Sequence, residues 1–543
     1  MSRVDGVFSK SLFASFQSHQ LNKAFTSEAA PWKWMPLIVP IAIAFILRLY
    51  QISAESVWID ELNSYEDAIL MESGNLGIRP LYYLLLRVWM LGGKSDAWLR
   101  GFSVLLDLGA IAVAYLLCQY AISRRAACLT ALMMALSPLL INHAQEIRMY
   151  PLITLLTVSG TLMLAYALER PTKGLIALWA VLRLAAMFTS PLMIIMFLPD
   201  CVLYGLKYWR RWPQLRLFFY GLLFVGVGWA PLVLREVFSA TENYVAEHSE
   251  YESFSVPITQ IFAKLTTFTV YWPLVGLENI PNPVPQLFYK AFTLLLVGLL
   301  IFAIIKIRPS LDNKVLWIGA WALLPTLAQF FGSELFLSGT LFRARYFLYT
   351  VPYLMMLLAY GFDQIRAWKP LIAGLVAALY LVAVGGGLAQ YYTQIYRNDW
   401  QGAAEVIEAQ EQSGDAIINF TMMADYNFPR YYKGDLTVSS IHLPRTLSRC
   451  VIAEPSATET SEAITACLQD RGDLVQESVV DLPEADRLWL VCYVGCRESE
   501  DYDRITEAVL GENFQETSFQ RFDALTKHDF EAVELHLLES EAG

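Results

Sequence analysis

Residues 80–93 read PLYYLLLRVWMLGG, and where this stretch lies decides the topology of everything after it. It is apolar, but it is 14 residues long and carries Arg87. An α-helix needs about 20 residues to cross some 30 Å of hydrocarbon. Counted as a span, the stretch would invert every later loop. Laid along the membrane surface as an amphipathic helix, it leaves the later basic clusters on one side. The charges therefore choose the second reading.

Working outward, eleven longer apolar segments predict spans near 36–53, 98–121, 126–142, 151–168, 173–188, 190–206, 215–235, 286–306, 314–333, 345–362 and 370–391. Arg124-Arg125, Arg170 with Lys173, Lys207-Arg210-Arg211-Arg216, Lys306-Arg308-Lys314 and Arg366-Lys369 fall on alternate connections. The other long connections are acidic, with Glu55, Asp60, Glu61, Glu66, Asp67 and Glu72 in one and Glu236, Glu242, Glu247, Glu250 and Glu252 in another. The positive-inside rule puts the basic set in the cytoplasm. The polar segment 1–33 is then cytoplasmic, and with no apolar core ahead of Pro31 it is not a cleavable signal peptide. Loops 54–97 and 236–285 and the C-terminal tail are expected on the extracytoplasmic face of a plasma (inner) membrane.

Composition supports this division. Of 543 residues, 56% are hydrophobic and only 17% charged, against roughly 25% charged in ordinary soluble chains. From residue 392 onward there are 29 acids and 11 bases, which leaves 22 acids and 29 bases before it. A single soluble globule is excluded, and so is a nucleic-acid binder, because the one hydrophilic block is acidic. Residues 34–391 are expected to form the membrane domain and 392–543 a small α/β domain. In the tail DWQGAAEVIEAQEQ reads as a helix, GDAIINF as a strand, TSEAITACLQD as a helix, DRLWLVCYV as a strand and DYDRITEAVLGE as a helix. Cys118, Cys128 and Cys201 read as small core residues, whereas Cys450, Cys467, Cys492 and Cys496 lie where disulfides are permitted.

Three polar groups interrupt the apolar pattern at its predicted outer rim. WIDELNSY, residues 58–65, places Asp60 and Glu61 just past the first span. NHAQEIRMYP, residues 142–151, packs His143, Gln145, Glu146, Arg148 and Tyr150 into a short connection, where one or two polar turn residues would suffice. LFRARYFLYTVPYL sets Arg343, Arg345 and Tyr346 ahead of the tenth span. Bases on that side run against the charge trend, so they are expected to neutralise a lipid headgroup or a substrate phosphate. Arg183 and Asp200 flank one hairpin at similar depth and are expected to pair for structure.

Asp60-Glu61, then Pro80-Leu81-Tyr82-Tyr83, then Gln145-Glu146-x-Arg148-x-Tyr150, then Arg345-Tyr346 six residues before Pro352, stand in an order that resembles the GT-C superfamily of membrane glycosyltransferases. More narrowly, the chain is similar to the protein O-mannosyltransferase and lipid A aminoarabinose transferase group and to bacterial dolichyl-phosphate-mannose-type transferases. The resemblance covers about residues 35–390. It implies a GT-C-like helical multi-pass protein using a polyprenyl-phosphate sugar donor and a lipid, glycan or protein acceptor. Asp60 matches the general base, with Glu61 beside it. Arg79 matches a phosphate-contacting lysine, and Arg148, Arg345 and Tyr346 join it at the donor phosphate. His143, Gln145, Glu146 and Tyr150 match the second-loop motif and are assigned to the substrate. Many members have His-Pro-Pro-Leu where this chain has Ile78-Arg79-Pro80-Leu81. That departure leaves the sugar open, and Glu61 either raises the pKa of Asp60 or helps bind a divalent metal ion.

Chemically, attack by an acceptor hydroxyl needs a base on one face of the sugar, and a phosphate leaving group needs positive charge on the other. Direct displacement inverts the anomeric centre. The rival reading, a transporter or flippase of lipid-linked sugars, would favour polar residues at mid-membrane and repeated halves. Here the unusual polar density lies in the outer loops, and no halves repeat.

Overall fold

The computed structural model describes residues 35–70, 79–239, 283–336, 344–393, 397–419, 422–440, 485–493, 514–523 and 532–540. The predicted cytoplasmic segment 1–33, most of the 236–285 loop, the tail helices predicted around residues 461–470 and 501–512, and Cys450, Cys467 and Cys496 lie outside them.

All eleven predicted span segments are helical. In chain order the helices are α1 (Met35–Leu49), α2 (Ile59–Leu70), α3 (Pro80–Met90), α4 (Asp96–Ala121), α5 (Arg124–Leu136), α6 (Pro138–Ala144), α7 (Tyr150–Glu169), α8 (Lys173–Thr189), α9 (Phe197–Tyr208), α10 (Trp212–Ser239), α11 (Pro283–Lys306), α12 (Lys314–Phe336), α13 (Val351–Trp368) and α14 (Pro370–Thr393). Short 3₁₀ turns, Pro191–Met196 and Ala344–Thr350, lead into α9 and α13. Among the described residues seven helices are long and apolar enough to cross a membrane, or eight if α5 and α6 count as one span bent by 62°. The other three predicted spans are shorter or more polar: α1 has 15 residues and α8 has 17, while α13 carries Asp363 and Arg366 near its end. Leu371, Leu294 and Ile305 are among the many large apolar side chains left exposed, as a surface facing hydrocarbon requires. The deciding stretch at residue 80 is an 11-residue helix, α3, too short to span.

The bend has a local cause. Pro138 has no N–H to donate to the carbonyl four residues earlier. Arg48 supplies the missing donors, with Nη2 3.1 Å from Met134 O and Nη1 3.0 Å from Ala135 O. Its charge is balanced by Asp107, 2.6 Å from Nε. Ser137 then caps α6 by accepting from the Leu140 N–H. The other predicted interior pair also forms. Arg183 donates to both oxygens of Asp200, at 2.7 and 3.1 Å, and to Thr157 O and Thr161 Oγ1. Trp179 and Trp321 add indole N–H bonds to the same carboxylate. Gly160 makes room for the guanidinium, since a Cβ there would stand 3.1 Å from Nη1 of Arg183.

The chain divides into two compact units. One joins the described residues up to Ile52 to Ser64–Thr393, and the other joins Ser53–Asn63 to the chain from Gln394 onward. The second unit holds α15 (Trp400–Gln410), α16 (Met422–Tyr431) and strands β1 (Ala416–Asn419), β2 (Val438–Ser440), β3 (Arg487–Tyr493), β4 (Phe514–Phe522) and β5 (Val533–Ser540). They form one mixed sheet in the order β2-β1-β3-β5-β4, parallel across β2-β1-β3 and antiparallel across β3-β5-β4. Trp400, Ile407 and Phe428 of the helices bury against Ile417, Trp489, Val491 and Leu535 of the sheet. The mixed helix-and-strand reading of the tail therefore holds for α15, β1 and β3. The sequence reading did not anticipate α16, β2, β4 and β5.

Candidate active site

Within the membrane unit a cavity of about 270 Å³ opens where four segments converge. Arg79 comes from the start of α3, Tyr150 from the start of α7, and Arg345 and Tyr346 from the 3₁₀ turn before α13, with Ser190, Met193 and Tyr349 also on its wall. Local rules position each one. A residue ahead of proline is kept out of helical conformation, so Arg79, at φ −127°, stands off the end of α3. Arg345 lies over the Tyr346 ring at 5.4 Å. The turn that carries both is braced by Gln329 of α12. Tyr349 OH donates to its Oε1 at 2.9 Å, and its Nε2 donates to Tyr346 O at 3.4 Å.

Arg148 stands beside this cavity, 5.7 Å from the centroid of the Tyr150 ring, and its Nη1 donates to Ser64 Oγ at 3.1 Å. Tyr83, one turn into α3, is also close to it. Burial and the Asp67 carboxylate push the Tyr83 phenol up to about 12, while the Arg148 and Arg79 guanidinium groups pull it down. The cavity is thus cationic at one end, with Met149, Ile153 and Leu192 giving it apolar walls. Such a site suits an anionic headgroup on a hydrocarbon chain.

The remaining second-loop residues are bonded into the protein. Glu146 accepts from Asn142 Nδ2 at 2.8 Å and lies 2.8 Å from His143 Nδ1. Gln145 Nε2 donates to the carbonyls of Arg48 and Tyr50, both at 2.9 Å, and its Oε1 accepts from Tyr391 OH. These bonds tie the end of α6, the end of α1 and the end of α14 together. Of the four residues predicted at the substrate, Tyr150 is the one on the cavity wall.

Asp60 and Glu61 belong to the second unit. They occupy the first turn of α2, where the helix dipole favours carboxylates. Asp60 is half-buried. Glu61 is fully buried, accepts from the Trp58 N–H at 3.3 Å, and pairs with Arg397 at 3.4 Å. Arg397 also pairs with Glu55 at 3.5 Å. Among the described residues no group of three His, Cys, Asp or Glu side chains could hold a metal ion. Sequence reading did not single out Arg397, Gln329 or Ser64. Only Arg397 left a trace, as a base just after the last span in an otherwise acidic tail.

No family model matches the sequence, and no curated protein sequence matches it. The fold does find counterparts. ArnT from Cupriavidus metallidurans bound to undecaprenyl phosphate superposes with a TM-score of 0.56 at 14% identity, covering 94% of this chain and 98% of that one. The chain has a GT-C-like fold. The apo state of the same ArnT gives a TM-score of 0.54 at 13% identity, again over 94% and 98%. The Archaeoglobus fulgidus oligosaccharyltransferase in its apo form gives 0.49 at 11% identity, over 88% of this chain and 71% of that one. As a GT-C-like membrane protein, the chain thus carries an arginine-lined cavity in its membrane unit and the Asp60–Glu61 pair in its second unit.

Proposed function

We propose that the chain is an inverting glycosyltransferase that moves a monosaccharide from a polyprenyl-phosphate donor to an acceptor hydroxyl at the outer face of the plasma membrane. The observation that carries this reading is the cavity holding Arg79 and Arg345 beside Tyr150, with apolar walls, in a unit that shares its fold with a protein solved with undecaprenyl phosphate. The donor's phosphate rests on Arg79, Arg148, Arg345 and Tyr346, and Tyr150 borders the sugar. The acceptor oxygen attacks the anomeric carbon, its proton passes to Asp60, and the bond from that carbon to the phosphate oxygen breaks. The electron pair leaves with the phosphate, whose growing charge the guanidinium groups stabilise. A phosphate needs no proton to leave, so one carboxylate base is enough.

The test uses the full chain in lipid nanodiscs with a mixture of lipid-phosphate sugars and membrane-extract acceptors. Transfer of one sugar with inverted configuration is expected, and Asp60→Asn should lower it by about 10²–10⁴-fold. Parental rates in Asp60→Asn overturn the assignment of the base. Movement of intact lipid-linked sugar across the bilayer, with no new glycosidic bond, overturns the enzyme reading.

A further inference from the structure

Asp60 lies in a segment, Ser53–Asn63, that packs with the C-terminal domain. Three attachments hold it there. Arg397 bridges Glu55 and Glu61, at 3.5 and 3.4 Å. The Gln401 N–H donates to Ser56 Oγ at 3.1 Å. The Val57 N–H donates to the Tyr431 hydroxyl at 2.5 Å. Together they fix five of the seven residues from Glu55 to Glu61 by side chain or backbone, counting the Trp58 N–H bond to Glu61.

We propose that the C-terminal domain is the positioning device for the Asp60 loop and that Arg397 is its principal positioning residue. This deepens the glycosyltransferase reading and rests on it. The charge balance makes the case. A loop bearing Glu55, Asp60 and Glu61 docks onto a domain with 29 acids and 11 bases, so the contact is repulsive until a base is placed in it. Arg397 is that base, 8% exposed, and Glu61 beneath it has no exposure at all. Removing the arginine would take its counter-charge from a buried carboxylate, and lifting Glu61 toward water would relieve that cost. Asp60 is the next residue in the chain and would move with it. Reaction geometry tolerates little of this, since a misplacement of about 1 Å can cost on the order of 100-fold. The donor phosphate is assigned to arginines of the other unit, so its binding should be indifferent to Arg397.

The experiment compares the full-length protein with Arg397→Met, Glu61→Gln, the double variant and Tyr431→Phe, in nanodiscs. Three readouts are taken: steady-state transfer, direct binding of undecaprenyl phosphate, and hydrogen exchange over residues 53–63. Arg397→Met is expected to lower kcat by roughly tenfold to a hundredfold, leave donor KM and undecaprenyl phosphate affinity within about twofold, and speed exchange at Val57 and its neighbours. Adding Glu61→Gln should return exchange at Val57 and its neighbours toward the parental rate, because the buried charge that lost its counter-charge is gone. Tyr431→Phe should shift exchange and kcat in the same direction, by less, and serves if Arg397→Met does not fold. The proposal is overturned by unchanged exchange and kcat, by a loss of undecaprenyl phosphate affinity that matches the loss of kcat, or by a double variant whose exchange over residues 53–63 is as fast as the single's. A wild-type protein that transfers no sugar overturns the proposed function instead, and the exchange data still decide whether the domain holds the loop.

Discussion

Arg183 and Arg345 are both guanidinium groups in the membrane unit, but they are treated in opposite ways. Arg183 is sealed: its carboxylate partner, two threonines and two tryptophans surround it with no solvent path, and both it and Asp200 are at most 1% exposed. Arg345 borders an open cavity, stacked on Tyr346, on a turn whose shape is held from behind by Gln329. A charge closed off inside the protein is out of a ligand's reach, whereas one on a cavity wall is within it. The contrast separates a charge closed to ligands from one open to them.

The sharpest way to break that contrast is at the sealed end. Asp200→Leu leaves Arg183 buried without its carboxylate and should cost about 3–5 kcal/mol of stability, read as a lower melting temperature and poor recovery in detergent. Arg183→Met combined with Asp200→Leu should regain most of that loss. If the single variant is as stable as the parent, the pair is not sealed. At the open end the expected effect is on ligand, not fold. Arg345→Leu should weaken undecaprenyl phosphate binding by roughly tenfold to a hundredfold, the worth of one hydrogen bond to a charged group, with the melting temperature nearly unchanged. A melting loss as large as that of Asp200→Leu would erase the distinction.

Smaller effects sharpen it further. The fold raises the Tyr83 phenol to about 12, first by burial and then through Asp67. A raised pKa favours the protonated form, so this contribution to stability is complete below the unfolded value near 10 and is lost as pH climbs toward 12. Tyr83→Phe should therefore flatten the fall in melting temperature between about pH 10 and 12 relative to the parent. An identical slope in both proteins would refute it. Glu66 is raised as well, by burial and then by Asp67. Its protonated form is the one the fold prefers, so what it contributes is present at acid pH and lost on the way to neutrality. Glu66→Gln should raise the melting temperature by on the order of 1 °C at pH 7, and the gain should vanish near pH 4.

The helical frame was legible because a membrane leaves little choice: a long apolar run must pair its backbone internally, and a helix does so. That the stretch at residue 80 is no span was legible from its length and from the later basic clusters that a span there would have moved to the other side. Arg183–Asp200 could be read too, since two opposite charges at one depth have no cheaper solution than each other. The tail was harder. In β5, Val533-Glu534-Leu535-His536-Leu537 alternates apolar and polar residues as a strand does, and the reading passed over it, whereas β4 carries a register shift between Glu516 and Ser518 that interrupts its pattern. At the site, residue type marked out the arginines and Tyr150, of which Arg79, Arg345 and Tyr150 line one cavity. It could not show that Gln145 and Glu146 spend their polar atoms on neighbouring backbone and side chains, or that Glu61 is held by Arg397. Those partners lie up to 336 positions away in the chain, and no local pattern encodes them.

The bend at Pro138 carries an implication for descent. Proline, Arg48 and Asp107 form a dependent trio: the ring removes a backbone donor, the guanidinium replaces it, and the carboxylate makes that cation tolerable inside hydrocarbon. No member is useful without the other two. Relatives that straighten this helix should have shed all three together, and a lineage caught with only one of them would be carrying a defect.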